Sequence, residues 1–175
     1  MRQYYDLSGQ DHSLYLPKTF HITGGIEDDE YLNFLTTYHE RKKNGQPNYW
    51  IIKPGELSNR GNGINVCDSL DSIKLILKNK ERHENGKFKT YILQQYLDSP
   101  FLYKGRKFDI RHYILITRIN GVLKGYWYEE GYIRTTSYEY HLGQMNSQIH
   151  LTNDAVQKHC RDYGKFEKGN KLSYR

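Results

Sequence analysis

The chain has 175 residues, of which 26 are Lys or Arg and 20 are Asp or Glu, so its formal net charge is +6. Two cysteines are too few for a disulfide framework or for a zinc site of their own, and no apolar run has the length of a membrane span or of a secretion signal. We therefore expect a cytoplasmic chain that forms one domain, or a large piece of one, with no metal site of its own.

The positive charge is concentrated at the end of the sequence. Residues 158–175 contain six Lys or Arg beside two acidic residues and therefore carry +4 of the net charge of +6. This segment is predicted to be a basic, mobile tail, and residues 1–157 to be the folded part. With only about +2 left on the folded part, a broad nucleic-acid-binding surface is not supported.

The first third of the chain predicts one helix and two short strands. Residues 1–20 show no clear period and are expected to be irregular. At 28–43, apolar residues recur at helical spacing behind an acidic first turn and ahead of a basic last turn, which predicts an amphipathic helix. Strands are predicted at 49–53 and 64–66, joined by the polar loop 54–63.

The middle of the chain predicts a second helix and a third strand. Asp68 or Ser69 can cap a helix whose apolar positions lie between residues 70 and 77. A charged loop at 81–89 then leads into a strand at 90–97. The mixture of helices and antiparallel strands indicates an α+β fold rather than a doubly wound parallel sheet.

A predicted hairpin carries the most informative pattern of the sequence. Strands at 107–119 and 122–128 are joined by Asn120-Gly121, which favours a tight turn. Alternate residues of a strand share a face, so one face of the first strand presents Lys107, Asp109 and Arg111. The other face is expected to belong to the core and contains Phe108, Ile110, Ile114 and Ile116.

Two features of the first half suit a phosphate-bearing ligand. Lys53 ends an apolar strand, so its ammonium group either neutralises a phosphate or simply extends from the sheet into water. The loop 58–63 either brings backbone N–H groups close to phosphate oxygens or forms an exposed turn, and it is not a Walker loop. The strand exit at 94–97 either presents an adenine-binding edge or only reverses the chain.

Two arginines of the second half suit acyl-phosphate chemistry. The guanidinium groups of Arg111 and Arg134 can stabilise charge on a transferring phosphoryl group and on an acceptor carboxylate. Glu129 and Glu130 precede Arg134, so a structural ion pair is the alternative. The histidines have no metal-like spacing, and no Ser, Cys or His nucleophile constellation is evident.

Six short segments carry a resemblance to a known family: WIIKP at 50–54, NRGNGI at 59–64, LQQYL at 93–97, KGRKFDIR at 104–111, YEEGYIRT at 128–135 and HLTN at 150–153. Each is weak alone, but their order over roughly residues 14–158 resembles the tubulin–tyrosine-ligase-like family of ATP-grasp ligases. The resemblance implies an α+β, ATP-grasp-like fold with antiparallel sheets and flanking helices, incomplete at its C-terminal end.

The resemblance also implies a reaction. ATP phosphorylates a carboxylate, and the amine of free glutamate, glycine or tyrosine attacks the acyl phosphate to form an amide. The implied partners are tubulin or microtubules, whose acidic tails suit a cationic surface, and the implied location is the cytoplasm, at the cytoskeleton or the cilium. Polyglutamylation, glycylation and tyrosination of tubulin all remain open.

Carried onto this chain, the resemblance assigns catalysis to Asp109, Arg111 and Arg134. It assigns contacts with ATP to Lys53, Arg60, Gly61, Gly63, Gln94, Gln95, Tyr96, Leu97, Lys107, Asp109, Thr152 and Asn153. No residue of this sequence is assigned to a metal.

The Mg²⁺ ligands of the family, an Asp followed by Glu-x-Asn, lie C-terminal to the HLTN motif and are not matched here; Asp162 and Glu167 are poor substitutes. Without Mg²⁺, phosphoryl transfer loses its main charge stabilisation, so these 175 residues by themselves are expected to be inactive. The chain is then either a truncated catalytic domain or a non-catalytic paralogue that binds nucleotide or microtubules. A third hypothesis, an RNA-binding piece, rests on 17 tyrosines and the basic tail. The absence of an aromatic RRM signature argues against it.

Overall fold

The computed structural model describes residues 2–56, 58–78, 82, 86 and 88–174. The chain divides into two compact units, Met1–Ser99 and Pro100–Arg175. Every strand pairing within the described residues is antiparallel, which confirms the prediction of mixed helices and antiparallel sheets. Within the same residues, none of the helices combines the length and the apolar character that crossing a bilayer requires.

In the part of the first unit that the structure describes there are three α-helices and a four-stranded sheet. The helices are α1 (Arg2–Leu7), α2 (Asp29–Lys43) and α3 (Leu70–Lys78), and the strands are β1 (Thr19–Ile22), β2 (Trp50–Pro54), β3 (Asn65–Cys67) and β4 (Tyr91–Gln95). The strand order is β1-β4-β2-β3. The predicted helix at 28–43 and the predicted strands near 50, 65 and 92 are confirmed. The prediction that residues 1–20 are irregular is wrong, because α1 and the start of β1 are too short to produce a detectable period.

Helix α2 begins at a well-satisfied cap. The Asp28 carboxylate accepts the N–H of Glu30 at 2.9 Å, and it also accepts the N–H groups of Thr23 and Gly24 and the Thr23 hydroxyl, each at 2.7 Å. Burial, the largest single influence, raises the pKa of Asp28, but these hydrogen bonds together outweigh it and lower the pKa to about 2. The cap therefore fixes both the helix start and the turn that follows β1.

One face of the first sheet packs against helices α2 and α3. The core contains Phe20, Ile22, Trp50, Ile52, Cys67 and Leu93 from the strands and Tyr31, Phe34, Tyr38, Ile73 and Leu77 from the helices. At its centre, the Phe34 ring meets the Trp50 ring edge-on, with 4.9 Å between centroids. Each large apolar side chain buried in this way contributes about 1.5–3 kcal/mol. Side chains alternate along a strand, so Ile51, Lys53, Ile92 and Gln94 lie on the opposite face, where each is only half-buried and accessible in part.

The second unit, as far as the structure describes it, contains a four-stranded sheet, a two-stranded ribbon and two short α-helices. Its strands are β5 (Leu102–Tyr103), β6 (Arg106–Arg111), β7 (Ile114–Ile119), β8 (Val122–Trp127), β9 (Tyr132–Glu139) and β10 (Lys171–Ser173), and its helices are α4 (Ser147–His150) and α5 (Asp154–Gln157). The sheet order is β10-β9-β6-β5, and β7 pairs with β8.

The strand predicted at 107–119 is two strands in the structure. The chain changes partner at His112 and Tyr113, because β6 pairs with β9 whereas β7 pairs with β8. The predicted tight turn is confirmed: Asn120 and Gly121 have φ of 49° and 81°. An alternating pattern could not show the change of partner, because it continues on both sides of the break.

The prediction of the core face of this segment is wrong. Ile110, Ile114 and Ile116 are 61%, 60% and 66% exposed, and only Phe108 is half-buried. The ribbon β7–β8 exposes large apolar residues on both of its faces. Alternation tells which residues share a face, but what covers that face depends on other parts of the molecule.

The segment predicted to be a basic tail is, through Ser173, packed into the second unit. Strand β10 pairs with β9, and Glu167 and Asn170 are buried. The Glu167 carboxylate takes two hydrogen bonds from the Arg106 guanidinium group, at 2.5 and 2.8 Å. Composition pointed to a tail because the segment is anchored by buried polar groups rather than by aliphatic ones.

Candidate functional site

The accessible face of the first sheet carries Lys53 beside two half-buried isoleucines. Lys53 lies directly opposite Ile92 on β4, and Ile51 lies directly opposite Gln94. The Lys53 Nζ atom donates to Gln94 Oε1 at 2.8 Å, and burial lowers the pKa of Lys53. The structure therefore brings together the predicted residues Lys53 and Gln94 on an apolar floor, an arrangement that suits a flat ring with an attached anion.

The glycine loop lies against the end of β2. A Cβ atom at Gly63 would lie 2.7 Å from Pro54 Cγ, and the φ of Gly63 is +72°, so this position requires glycine. Arg60 and Gly61 also have positive φ, 59° and 91°. Of the predicted loop residues, Gly63 therefore lies against Pro54, the residue that follows Lys53, and the Arg60 side chain is exposed.

The predicted adenine edge at 94–97 is largely part of the sheet. The N–H groups of Gln95 and Tyr96 donate to the carbonyls of Lys18 and Tyr49, at 2.8 and 3.0 Å, so they are committed to neighbouring segments. Gln95 lies opposite Trp50 and belongs to the core-facing row, and Tyr96 is buried. Leu97 is 65% exposed. Of this stretch, Gln94 and Leu97 present side chains that a ligand could reach.

The second unit brings three of the predicted residues into one cluster. Arg134 lies directly opposite Asp109 in the pairing of β6 with β9. The Arg134 Nε and Nη2 atoms donate to Asp109 Oδ1 at 3.0 and 2.9 Å, and Nε also lies 3.0 Å from Oδ2. The Thr152 hydroxyl donates to Asp109 Oδ2. The side chains of Arg134 and Asp109 are 17% and 31% exposed, so a ligand can reach the pair.

The sequence left open whether Arg134 forms a structural ion pair with a nearby glutamate, and this geometry answers the question. The arginine does form an ion pair, but its partner is Asp109 rather than Glu129 or Glu130. Both members of the pair belong to predicted motifs, so the ion pair organises the candidate site instead of competing with it.

Buried Gln157 holds the segment that carries Thr152 against β9. Its Nε2 atom donates to the carbonyls of Gln148 and Leu151 at 2.9 and 2.6 Å, and its Oε1 atom accepts the N–H of Ser137 at 2.7 Å. Sequence reasoning missed this residue, because one glutamine in a four-residue helix gives no pattern. Asn153 is the N-cap of α5, and its side chain makes no capping hydrogen bond in the described structure.

Lys107 and Arg111 lie before and after Asp109 on β6. The register between β6 and β9 shifts between Arg106 and Phe108, where β9 contains the extra residues, and Lys107 is half-buried. The pKa of His150 is lowered mainly by burial and also by the positive charge of Lys107, which therefore acts on His150. Arg111 is exposed and lies opposite Tyr132 at the end of the pairing. Asp109 and Arg111 lie two residues apart on β6 and therefore share a face, as predicted.

The described side chains do not fit a Mg²⁺ site. No group of three or more His, Cys, Asp or Glu within the described ranges could hold a metal ion. Asp109 is the accessible carboxylate of the cluster, but both of its oxygens already accept hydrogen bonds from Arg134 and Thr152. Cys67 is buried, and burial raises the pKa of its thiol to about 11, as expected for a packing residue.

The model of the Tubulin-tyrosine ligase family matches residues 9–175. The chain belongs to this family. It is 38% identical over 118 residues to Tubulin glycylase 3B of Drosophila melanogaster and 37% identical over 119 residues to human Tubulin monoglycylase TTLL3, with 67% of this chain and 15% of the relative covered in each case. It is also 33% identical over 161 residues to the Probable alpha-tubulin polyglutamylase Ttll1 of Tetrahymena thermophila, covering 89% of this chain and 36% of that protein. The chain thus spans about 15% of the length of these two glycylases.

Proposed function

We propose that this chain is part of an ATP-dependent ligase that joins an amino acid to tubulin. The observation that carries the proposal is the cluster of Asp109, Arg134 and Thr152. These side chains come from three separate family motifs, and hydrogen bonds join them in one accessible place. The similarity to tubulin glycylases and to a probable tubulin polyglutamylase supports this reaction class and this acceptor.

ATP is proposed as the energy source, within an ATP-grasp-like fold. In the first unit, Ile51 and Ile92 offer an apolar floor for the purine, and Lys53 offers a cation for its phosphates. Gly63 lies against Pro54, next to Lys53, which supports contact of the loop with Arg60, Gly61 and Gly63 with the same phosphates.

The proposed reaction transfers the γ-phosphoryl group of ATP to a carboxylate oxygen of tubulin and releases ADP. The amine of the incoming amino acid then attacks the acyl carbon, the C–O bond to phosphate breaks, and phosphate and one proton are released. The Arg134 guanidinium group, held in place by Asp109, would stabilise negative charge that grows on the phosphoryl oxygens. Exposed Arg111 suits the acidic tail of tubulin.

Glycine is the first amino acid to test, because the two glycylases named above match at 37–38% identity and the polyglutamylase at 33%. Glutamate and tyrosine follow. The proposed location is the cytoplasm, at microtubules of the cytoskeleton or the cilium, where such an acceptor is present.

The test uses the longest natural protein that contains this sequence. It is incubated with microtubules, Mg²⁺-ATP and one labelled amino acid at a time, and incorporation into tubulin is measured. Arg134→Ala should lower kcat/KM by about 10²–10³-fold, as the loss of one charge-stabilising donor does in other enzymes. Arg118→Ala, an exposed arginine in the ribbon, should leave the rate unchanged. Absence of incorporation with all three amino acids would reject the ligase proposal.

The second candidate is a protein that binds nucleotide or microtubules without turnover. It is favoured because both carboxylate oxygens of Asp109 already accept hydrogen bonds. Among the described side chains, no other set of ligands fits Mg²⁺. Incorporation of an amino acid by the 175-residue chain itself would exclude this candidate.

A further inference from the structure

Three hydrogen bonds run in sequence across the accessible face of the first sheet. The Thr19 hydroxyl donates to the carbonyl of Pro17 at 2.8 Å. The Gln94 Nε2 atom donates to Thr19 Oγ1 at 2.8 Å, and the Lys53 Nζ atom donates to Gln94 Oε1 at 2.8 Å. The series connects the segment before β1 with β1, β4 and β2.

The direction of this series is fixed at its first member. A carbonyl oxygen can only accept, so the Thr19 hydroxyl must donate its one proton to the carbonyl of Pro17. Towards Gln94, the hydroxyl oxygen can therefore only accept. The amide of Gln94 therefore turns its NH₂ group towards Thr19 and its oxygen towards Lys53. The opposite orientation of the amide would place two donors, NH₂ and ammonium, against each other.

The register of the sheet sets this geometry in advance. Thr19 lies directly opposite Gln94 in the pairing of β1 with β4. Lys53 pairs with Ile92 and is therefore the diagonal neighbour of Gln94 across β2 and β4, within reach of a long side chain. All three polar side chains are half-buried, which restricts the alternatives open to each.

We propose that Thr19 is a positioning residue for a polyphosphate ligand: it orients the Gln94 amide, which in turn holds the Lys53 ammonium group with its charge uncompensated. This inference rests on the proposed function, because it assigns to Thr19 a part in binding the phosphates of ATP. A neutral acceptor fixes the position of the ammonium group and leaves its unit charge for the ligand. A carboxylate in the place of Gln94 would cancel that charge.

Binding measurements on the 175-residue chain test the proposal. Thr19→Val keeps the shape of the side chain but removes the hydroxyl, so the amide loses its orienting acceptor. By calorimetry, the Kd for ATP and for inorganic triphosphate should rise about 3- to 10-fold, the effect of one typical hydrogen bond, and the Kd for adenosine should not change. Thr19→Ser should behave like the parent. Thr36→Val, at an exposed threonine of α2, is the matched control.

A second readout does not depend on any ligand. The pKa of Lys53 is followed through the chemical shift of its ε carbon in the parent, in Thr19→Val and in Thr19→Ser. Loss of the oriented acceptor removes a hydrogen bond to the charged form, so the pKa of Lys53 should fall in Thr19→Val and return in Thr19→Ser. A mere packing role of Thr19 would not move it.

The possible results distinguish the role of Thr19 from the proposed nucleotide function. If the parent binds triphosphate and Thr19→Val binds it equally well, or if the pKa of Lys53 is the same in both, the role of Thr19 is overturned. If Thr19→Val weakens the binding of adenosine as much as that of ATP, Thr19 supports the apolar floor rather than the Lys53 ammonium group. This result would also overturn the inference. If the parent binds triphosphate but not ATP, and Thr19→Val binds triphosphate more weakly, the role of Thr19 is supported and the proposed nucleotide function is rejected. If the parent binds neither triphosphate nor ATP, both the role of Thr19 and the proposed nucleotide function are rejected.

Discussion

Lys53 in the first unit and Arg134 in the second are each held by a partner on a neighbouring strand, but the partners differ in charge. Lys53 donates to the neutral amide of Gln94, whereas Arg134 forms a forked contact with the carboxylate of Asp109. Lys53 thus keeps its charge for an incoming anion, whereas an anion that approaches Arg134 also meets a carboxylate. Lys53 is suited to a ligand that is negative from the start, and Arg134 to a group whose negative charge grows during reaction.

A third cation, Arg106, shows what complete burial requires. Its pair with Glu167 has side chains only 3% and 5% exposed, compared with 17% and 31% for Arg134 and Asp109. Thr135 and Asn170 complete the network, because the Thr135 hydroxyl donates to Glu167 and the Asn170 amide donates to the Thr135 carbonyl. A buried charge without its partner is far more costly than an exposed one. Arg106 is therefore a structural residue, although it lies only three positions from Asp109.

The largest expected effect comes from breaking the buried pair. Glu167→Ala leaves the Arg106 guanidinium group buried without its carboxylate, and the free energy of unfolding of the second unit should fall by about 3–5 kcal/mol. Chemical denaturation measures this loss, with Glu130→Ala at an exposed glutamate as the control. A loss below about 1 kcal/mol, the range of surface pairs, would show that Arg106 and Glu167 behave like the accessible pair.

A smaller effect is expected from acid. The hydrogen bond from Arg106 is the largest influence on the pKa of Glu167 and, with the Thr135 hydroxyl and nearby positive charge, holds it below the ordinary value of 4.5 against the opposing effect of burial. Because the pKa is lower in the folded state, the stabilisation is complete above about pH 4.5 and is lost as the pH falls through the folded value.

Denaturation curves recorded from about pH 6 to about pH 3 test this sign. Glu167→Gln should remove that part of the pH dependence that belongs to the second unit, and Glu130→Gln should leave it in place. An acid response that is the same in Glu167→Gln and in the parent would assign it to another group, such as Asp28, whose pKa is about 2.

The smallest effect on stability is expected at the accessible pair. Asp109→Asn gives Arg134 a neutral partner, like that of Lys53, and should lower the free energy of unfolding by about 1 kcal/mol or less, because water can solvate both side chains. The same change should cause the second unit to bind inorganic triphosphate more tightly, since the guanidinium charge is no longer compensated. Calorimetry at low ionic strength measures the second effect. Unchanged triphosphate affinity would contradict the distinction drawn between Lys53 and Arg134.

Much of the first unit could be predicted from its sequence. The helix at 28–43 has both a cap and charged turns that match its dipole, so local signals alone define it. The signals that predicted the strand with Lys53 were equally local, as were those for the tight turn at Asn120-Gly121 in the second unit. Thr19 was not singled out, because its importance depends on a partner 75 residues away on another strand.

In the second unit, prediction failed where a residue's environment depended on distant segments. Ile110 and Ile114 have the expected alternation but are exposed, and Glu167 lies in a basic stretch but is buried. Hydropathy reports the character of a side chain, not what packs over it. A polar anchor such as Arg106 with Glu167 joins residues 61 positions apart and has no local signature.

The sequence by itself determined the family, through six motifs in order, and the local elements, because caps, turns and short apolar runs act between near neighbours. It also determined which residue types were present for phosphate chemistry. Only the tertiary structure decided which cations are compensated and which are not. That property arises from strand register and burial, which bring Asp109 to Arg134, Gln94 to Lys53 and Glu167 to Arg106.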